Sequence, residues 1–205
     1  MEKQEENIIK GALDSFIRLG VKSVTMDDVS RELGVSKKTV YKYVSNKAEL
    51  VDKSFNWLAQ NIHDIMAHIH SQKRHPIDEM FDMDNVVCDV FRNQHPGIAF
   101  QLSKYYPETW QKIENFRQEM FIHFISDNMK RGVEMGLYRK NLNIELIAEV
   151  YFAKADMMVE GTVMEKLNMS IYEFTLQNLE YHLRGICSSE GLQYLDRKLK
   201  ENQNR

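Results

Sequence analysis

Three observations predict an all-α fold. Apolar residues return at three- and four-residue spacings along nearly the whole chain, the periodicity of amphipathic helices. Only three prolines and nine glycines interrupt its 205 residues, and β-type alternation is scarce. The prolines at positions 76, 96 and 107 fit helix beginnings, where the missing N–H costs nothing. Each element can be placed in turn.

From about Gln4 to Leu19, residues Ile8, Ile9, Ala12, Leu13, Phe16 and Leu19 share one face, and Gly20 supplies the stop. Thr25 and Ser36 stand where N-caps belong, ahead of two short helices separated by Gly34. Val29, Leu33, Val35, Val40 and Val44 would form their common core, and Ser30 is small enough for a close crossing. Lys47 then opens a long helix reaching His70 or Arg74, with Val51, Phe55, Leu58, Ile62, Ile65, Met66 and Ile69 as its apolar stripe. Pro76 begins a helix to about Phe91 or Asn93, Pro96 a short one ending by Tyr106, and Pro107 a long one stopping near Gly136. Asn143 caps a helix that fades near Leu167. Ser170, with Glu173 three residues on, forms a capping box for the next. Gly191 is expected to break that helix and leave a short, fraying amphipathic end. The architecture expected is a three-helix domain over residues 1–50, joined by the long helix to a larger helical domain over 51–205.

Charge locates function within this outline. The net charge is −3, so affinity for a polyanion must come from a local patch. Through residue 50 there are nine Lys and Arg against eight Asp and Glu; beyond it, eighteen against twenty-two. From Gly34 to Lys47, however, there are four lysines and no acid. An α-helix fits the DNA major groove, and residues near its N-terminus reach base edges. Lys37 and Lys38 occupy that end, and Tyr41 lies one turn on, able to press its ring on a thymine methyl. A lysine run taken alone is usually a solvated helix face. Coupled to a turn glycine, two caps and the Tyr41/Tyr43 pair, it reads as a DNA-facing helix.

The stretch ALDSFIRLGVKSVTMDDVSRELGVSKKTVYKYVSNKAEL resembles the DNA-binding domain of the TetR family of bacterial transcriptional regulators. The resemblance rests on Ala12, Phe16 and Gly20, on Thr25, on Gly34-Val35-Ser36, on Thr39-Val40-Tyr41-x-Tyr43, and on Lys47-x-x-Leu50. It covers less than a quarter of the chain; the remainder is similar in length and helix count alone. Ser30 stands where the family usually has Ala, and Val44 where it usually has Phe. Lys38 replaces a residue that is often Gly, which changes the bases read.

The resemblance implies a homodimer on a palindromic double-stranded DNA operator, with Lys37, Lys38 and Tyr41 as base contacts. Thr25, Thr39, Lys42, Tyr43 and Lys47 would hold phosphates, which position the helix without reading sequence. It further implies a small-molecule effector, largely apolar, in a cavity of the larger domain; Phe81, Phe91, Phe100, Tyr105, Trp110, Phe116, Tyr151 and Met158 are the candidate lining. The last two long helices would pair between subunits, with Tyr151, Ala155, Leu176, Leu179 and Leu183 at that interface. The expected function is a ligand-responsive repressor. The alternatives are a binding module with a vestigial DNA face, or a DNA-binding protein without an effector.

An enzyme is not expected: the sequence carries no glycine-rich phosphate loop, nucleophile elbow or HExxH. No cofactor is implied. His63, His68, His70 and His75 do not share one helical face, so no metal site is expected. Cys88 and Cys187 are expected as buried thiols, and a cytoplasmic location suits two cysteines and the absence of an apolar run near the ~20 residues of a membrane span.

Overall fold

A computed structural model describes residues 2–92, 94–95, 97–160 and 166–203 of the chain, with the side chains of 155, 156, 158–160 and 202–203 outside that description. The described residues form the helices α1 (Lys3–Leu19), α2 (Met26–Glu32), α3 (Lys37–Tyr41), α4 (Lys47–Ser71), α5 (Pro76–Arg92), α6 (Ile98–Tyr105), α7 (Pro107–Glu134), α8 (Ile144–Glu160), α9 (Ile171–Ile186) and α10 (Ser189–Gln203). The expected all-α class is what the chain adopts. Among the described residues no helix is long and apolar enough to cross a membrane.

Two compact units divide the chain: residues 1–64 with 93–117, and residues 65–92 with 118–205. In the first, Phe16, Val29, Val40, Val44 and Leu50 are almost wholly buried, and Phe16 stacks on Phe55 at 6.4 Å between ring centroids. Ile98 and Leu102 of α6 join this same core, with Tyr106, Trp110 and Ile113 packed against it. The N-terminal core is thus completed by helices far along the chain. Two further bonds tie the segment down. His95 donates its backbone N–H to the Ile17 carbonyl at 2.7 Å, and Gln101 Oε1 accepts the Lys22 backbone N–H at 2.8 Å.

In the second unit α5 packs along α9, and a buried polar cluster links residues of α5, α7 and the loop after α7. Glu79 and Asn128 are fully buried and Tyr138 is 1 % exposed. Asn128 Nδ2 donates to Glu79 Oε2 and to the Pro76 carbonyl, both at 2.9 Å, and Tyr138 donates to Asn128 Oδ1 at 3.1 Å. Arg131 pairs with Glu79, and His70 lies between Glu79 (3.1 Å) and Asp127 (3.3 Å). A buried carboxylate needs such partners to offset its lost hydration.

Two boundaries differ from expectation, and a third lies outside the described residues. Pro96, expected to open α6, lies outside the described residues; α6 begins after Gly97, whose φ of 79° suits glycine. The stretch of α8 toward Leu167 passes through 161–165, also outside them. Gly191 does not break α9, which already ends at Ile186. It lies instead in the first turn of α10, a full helix of 15 residues. A Cβ at Gly191 would stand 2.1 Å from the Leu137 carbonyl oxygen, so the glycine serves a close backbone approach. There Tyr138 and Cys187 form an isolated antiparallel bridge, with Ser188 N–H donating to Leu137 O and Arg139 N–H to Ile186 O, both at 2.9 Å.

Candidate DNA interface and effector cavity

The helix pair α2–α3 is built as its residues dictate. Thr25 and Asp28 form a reciprocal capping box, each side chain bonded to the other's backbone N–H, and the Ser36 hydroxyl accepts the Thr39 N–H at 3.1 Å. Gly34 takes φ +63° in the turn, and Val35 N–H donates to the Ser30 carbonyl at 3.0 Å. Val40 is fully buried, which leaves Lys37, Lys38, Tyr41 and Lys42 exposed on the opposite face of α3. Tyr41 is 49 % exposed, large for an aromatic ring without a partner surface.

The predicted DNA contacts differ in how free they are. Lys38 and Tyr41 carry no ion pair among the described residues. Lys37 is paired with Asp27. Lys42 Nζ lies 3.3 Å from the Tyr43 hydroxyl and 3.8 Å from Glu2 Oε2, and Tyr43 donates to the same carboxylate at 3.0 Å; these contacts raise the Lys42 pKa. Lys47 is half-buried, Nζ donating to the Lys22 carbonyl at 3.4 Å, and burial lowers its pKa. Thr39 shares its hydroxyl with Ser36 at 2.8 Å. Thr25 is the most committed: its hydroxyl donates to Asp28 Oδ2 at 2.6 Å and its backbone N–H goes to the same atom.

Two cavities lie in the second unit. An inner one of about 30 Å³ is lined by Met83, Asp84, Val87, Phe121, Tyr151, Lys154, Phe174, Thr175 and Asn178. An outer cleft of about 430 Å³ is lined by Arg74, Phe81, Asp82, Asp84, Asn85, Tyr172, Leu176 and Lys198. The second volume is in the range of small-molecule sites. Of the predicted lining residues, the structure brings Tyr151 to the inner cavity and Phe81 to the outer. Phe91 lines neither. Phe100 and Tyr105 are 62 % and 43 % exposed, and Trp110 packs on the core of the first unit, as α6 and the start of α7 belong there. Phe116 lies against the His63 ring at 5.6 Å. The Met158 side chain is outside the described residues.

Sequence reasoning missed Asp84, Lys154 and Thr175. For Asp84 a signal existed. It sits three and four residues from Phe81, Met80, Val87 and Cys88, a carboxyl on the apolar stripe of α5. Burial pushes its pKa up to about 7, against the lowering effect of a hydrogen bond from Thr175.

The predicted dimer residues need correction. Tyr151, Leu179 and Leu183 are buried in the protomer's own core, at 7 %, 0 % and 0 % exposure, and so are unavailable to a partner. Leu176 lines the outer cleft, and the Ala155 side chain is outside the described residues. The apolar residues that α8 and α9 do expose are Leu146, Val150, Met157, Tyr172 and Tyr181. Each lies off the stripe that faces the core.

Among the described residues no three His, Cys, Asp or Glu converge as metal ligands. Cys88 and Cys187 are buried free thiols, and burial raises both pKa values, to about 12 for Cys187.

Comparisons agree with this geometry. Residues 8–53 match the family described as bacterial regulatory proteins, TetR family. The chain is 38 % identical over 55 residues to the uncharacterised HTH-type transcriptional regulator YhgD of Bacillus subtilis, spanning 27 % of this chain and 29 % of that protein. It is 20 % identical over 169 residues to YvaF, of the same organism and description, spanning 82 % of this chain and 88 % of the relative. Its fold is that of a regulator from Saccharomonospora viridis solved in complex with choline, with a TM-score of 0.74 at 14 % identity, over 90 % of this chain and 97 % of that one. Residues 8–53 thus match the DNA-binding domain of the TetR family of bacterial regulatory proteins, and the chain as a whole shares the fold of solved regulators.

Proposed function

We propose that the protein is a homodimeric, ligand-responsive transcriptional repressor that binds a palindromic operator. Residues 1–50 would read DNA, and residues 51–205 would hold the effector and the dimer contact. The observation that carries the reading is the two-sidedness of α3, with Val40 sealed in the core and Lys38, Tyr41 and Lys42 offered outward. Such a helix covers a few base pairs, so specificity calls for two half-sites about one turn of DNA apart, and hence for two copies of the chain.

The dimer surface proposed is the exposed apolar set on α8 and α9, centred on Leu146, Val150 and Tyr181. Effector binding is supported by the cavities beside Asp84 and, in the fold relative, by a bundle of this shape holding a small organic molecule. Repression would be lifted if the effector binds the DNA-incompetent form better than the competent one, since equal affinity shifts nothing. A cytoplasmic location follows from the proposed target.

The test is retardation of the protein's own upstream DNA at low salt, with Tyr41→Ala beside the parent protein. Retardation abolished by the substitution supports the reading; no retardation by the parent protein overturns it.

A further inference from the structure

Asp84 is shared by the walls of both cavities, where the apolar inner space meets the polar outer cleft. The charges around it are unevenly satisfied. Arg74 Nη1 pairs with Asp82 at 2.5 Å, and Lys198 Nζ pairs with Asp78 at 2.8 Å. Lys154 lines the inner cavity, but its ammonium sits 4.4 Å from the centre of the Tyr181 ring, itself 72 % exposed. None of these cations pairs with Asp84, and among the described residues it has no ion pair; its polar neighbour is the Thr175 hydroxyl. With Arg74 engaged by Asp82 and Lys198 drawn to Asp78 outside the lining, Asp84 is left without a cationic partner in the outer cleft.

The rest of the lining suits the same kind of guest. Phe81 and Tyr172 stand with Asp84 in the outer cleft; Phe121, Tyr151 and Phe174 stand with it in the inner cavity. A carboxylate among aromatic rings attracts an organic cation by charge, and any ring face turned to the guest adds its quadrupole. An anionic guest would meet Asp84 with every nearby base but Lys154 already paired. The inner space is about the share of one water molecule, so it accepts at most a methyl group, not a long chain. The outer cleft has room for the body of a small amphiphile.

We propose, resting on the regulator reading above, that the effector is an organic cation, a substituted or quaternary ammonium, whose charged head pairs with Asp84 and whose apolar body lies in the outer cleft. Burial without a paired cation pushes the Asp84 pKa up to about 7. A cationic guest supplies the missing partner. Asp84 then acts as the specificity residue, while the rings supply affinity that any apolar molecule shares.

The experiment is isothermal titration of the full-length protein at pH 8 with three probes of equal chain length: octyltrimethylammonium, 1-octanol and octanoate. The cation is expected to bind about tenfold or more tighter than 1-octanol, and octanoate not at all. In Asp84→Asn the cation should fall to the affinity of 1-octanol while 1-octanol itself is unchanged, which also shows that the variant is folded. Asp84→Glu should retain part of the preference. Octanoate binding as tightly as the cation, an unaltered cation affinity in Asp84→Asn, or failure of all three probes would each overturn the proposal. A protein that binds the cation through Asp84 yet retards no DNA overturns the regulator reading and leaves this one standing.

Discussion

The side-chain carbonyl of Gln101 accepts the backbone N–H of Lys22 at 2.8 Å. A residue of α6 thereby holds the turn that joins α1 to α2, three residues before the Thr25 cap. Together with Ile98 and Leu102 in the same core, this bond makes α6 a structural member of the unit that carries α2 and α3. Gln101→Ala should leave the fold intact, at a cost of about 1 kcal/mol. It should weaken the response of DNA binding to the effector more than DNA binding itself. Operator titration by fluorescence anisotropy, with and without the cationic probe, measures both; an unchanged response would remove α6 from the coupling route.

The Lys37–Asp27 pair is exposed and therefore worth little to stability. It would matter for the proposed recognition, since a Lys37 that contacts a base must first leave Asp27, whose carboxylate would repel phosphate. Asp27→Asn should raise operator affinity roughly threefold to tenfold at low salt, with the gain shrinking as salt screens the charge. Lys42→Ala should instead lower the slope of log affinity against log salt by about 1. Anisotropy over 50 to 200 mM salt decides both, and a weaker Asp27→Asn complex would refute the first.

Two buried groups give stability opposite pH dependences. His182 is buried, and desolvation drops its pKa to about 3, below the 6.5 of a free imidazole. The unfolded chain takes up a proton that the fold refuses, so this contribution is lost as pH falls from 6.5 toward 3. Asp84 runs the other way. Its folded value of about 7 exceeds the free value of 3.8, so its contribution is present below pH 4 and lost as pH rises through 7. Asp84→Asn should therefore stabilise the protein more at pH 8 than at pH 5, by roughly 1 to 2 kcal/mol after discounting for partial exposure. His182→Phe should flatten the acid limb. Thermal melts at the two pH values test the pair, and a larger Asp84→Asn gain at pH 5 would contradict the assignment.

Phe16 is fully buried and stacked on Phe55 in the core that supports α3. Phe16→Ala should cost about 3 to 5 kcal/mol. DNA binding should be lost with the fold of the first unit, a change visible as a lowered melting temperature by circular dichroism.

The helix-turn-helix was legible because its constraints are local. Thr25, Ser36, Gly34 and the valines at 29, 40 and 44 each answer to neighbours within a turn or two, and sequence spacing records that. Exposure of Tyr41 followed from the burial of Val40. The membership of α6 in the same core could not be read, because Ile98 and Leu102 look like any apolar helical pair until the chain has folded back. The sealed cluster of Glu79, Asn128, Arg131 and Tyr138 was hidden for the same reason, as its partners come from separate helices. Asp84 is the intermediate case. Its place among Met80, Phe81, Val87 and Cys88 marked it as anomalous, but what it faces depends on α9. The dimer residues failed through a rotation: Leu179 and Leu183 form the apolar stripe of α9, and that stripe serves the protomer's own core.

The Tyr138–Cys187 bridge makes α10 masonry instead of a loose end. Its backbone is keyed to the loop after α7 at Leu137 and Ser188, with no room for a side chain at Gly191. Lys198 therefore lines the outer cleft from a firmly keyed helix. Changes of guest chemistry can be written into the face of α10 without disturbing how that helix is held. Gly191→Ala would do the reverse: with the face of α10 unaltered, the wall itself would be displaced.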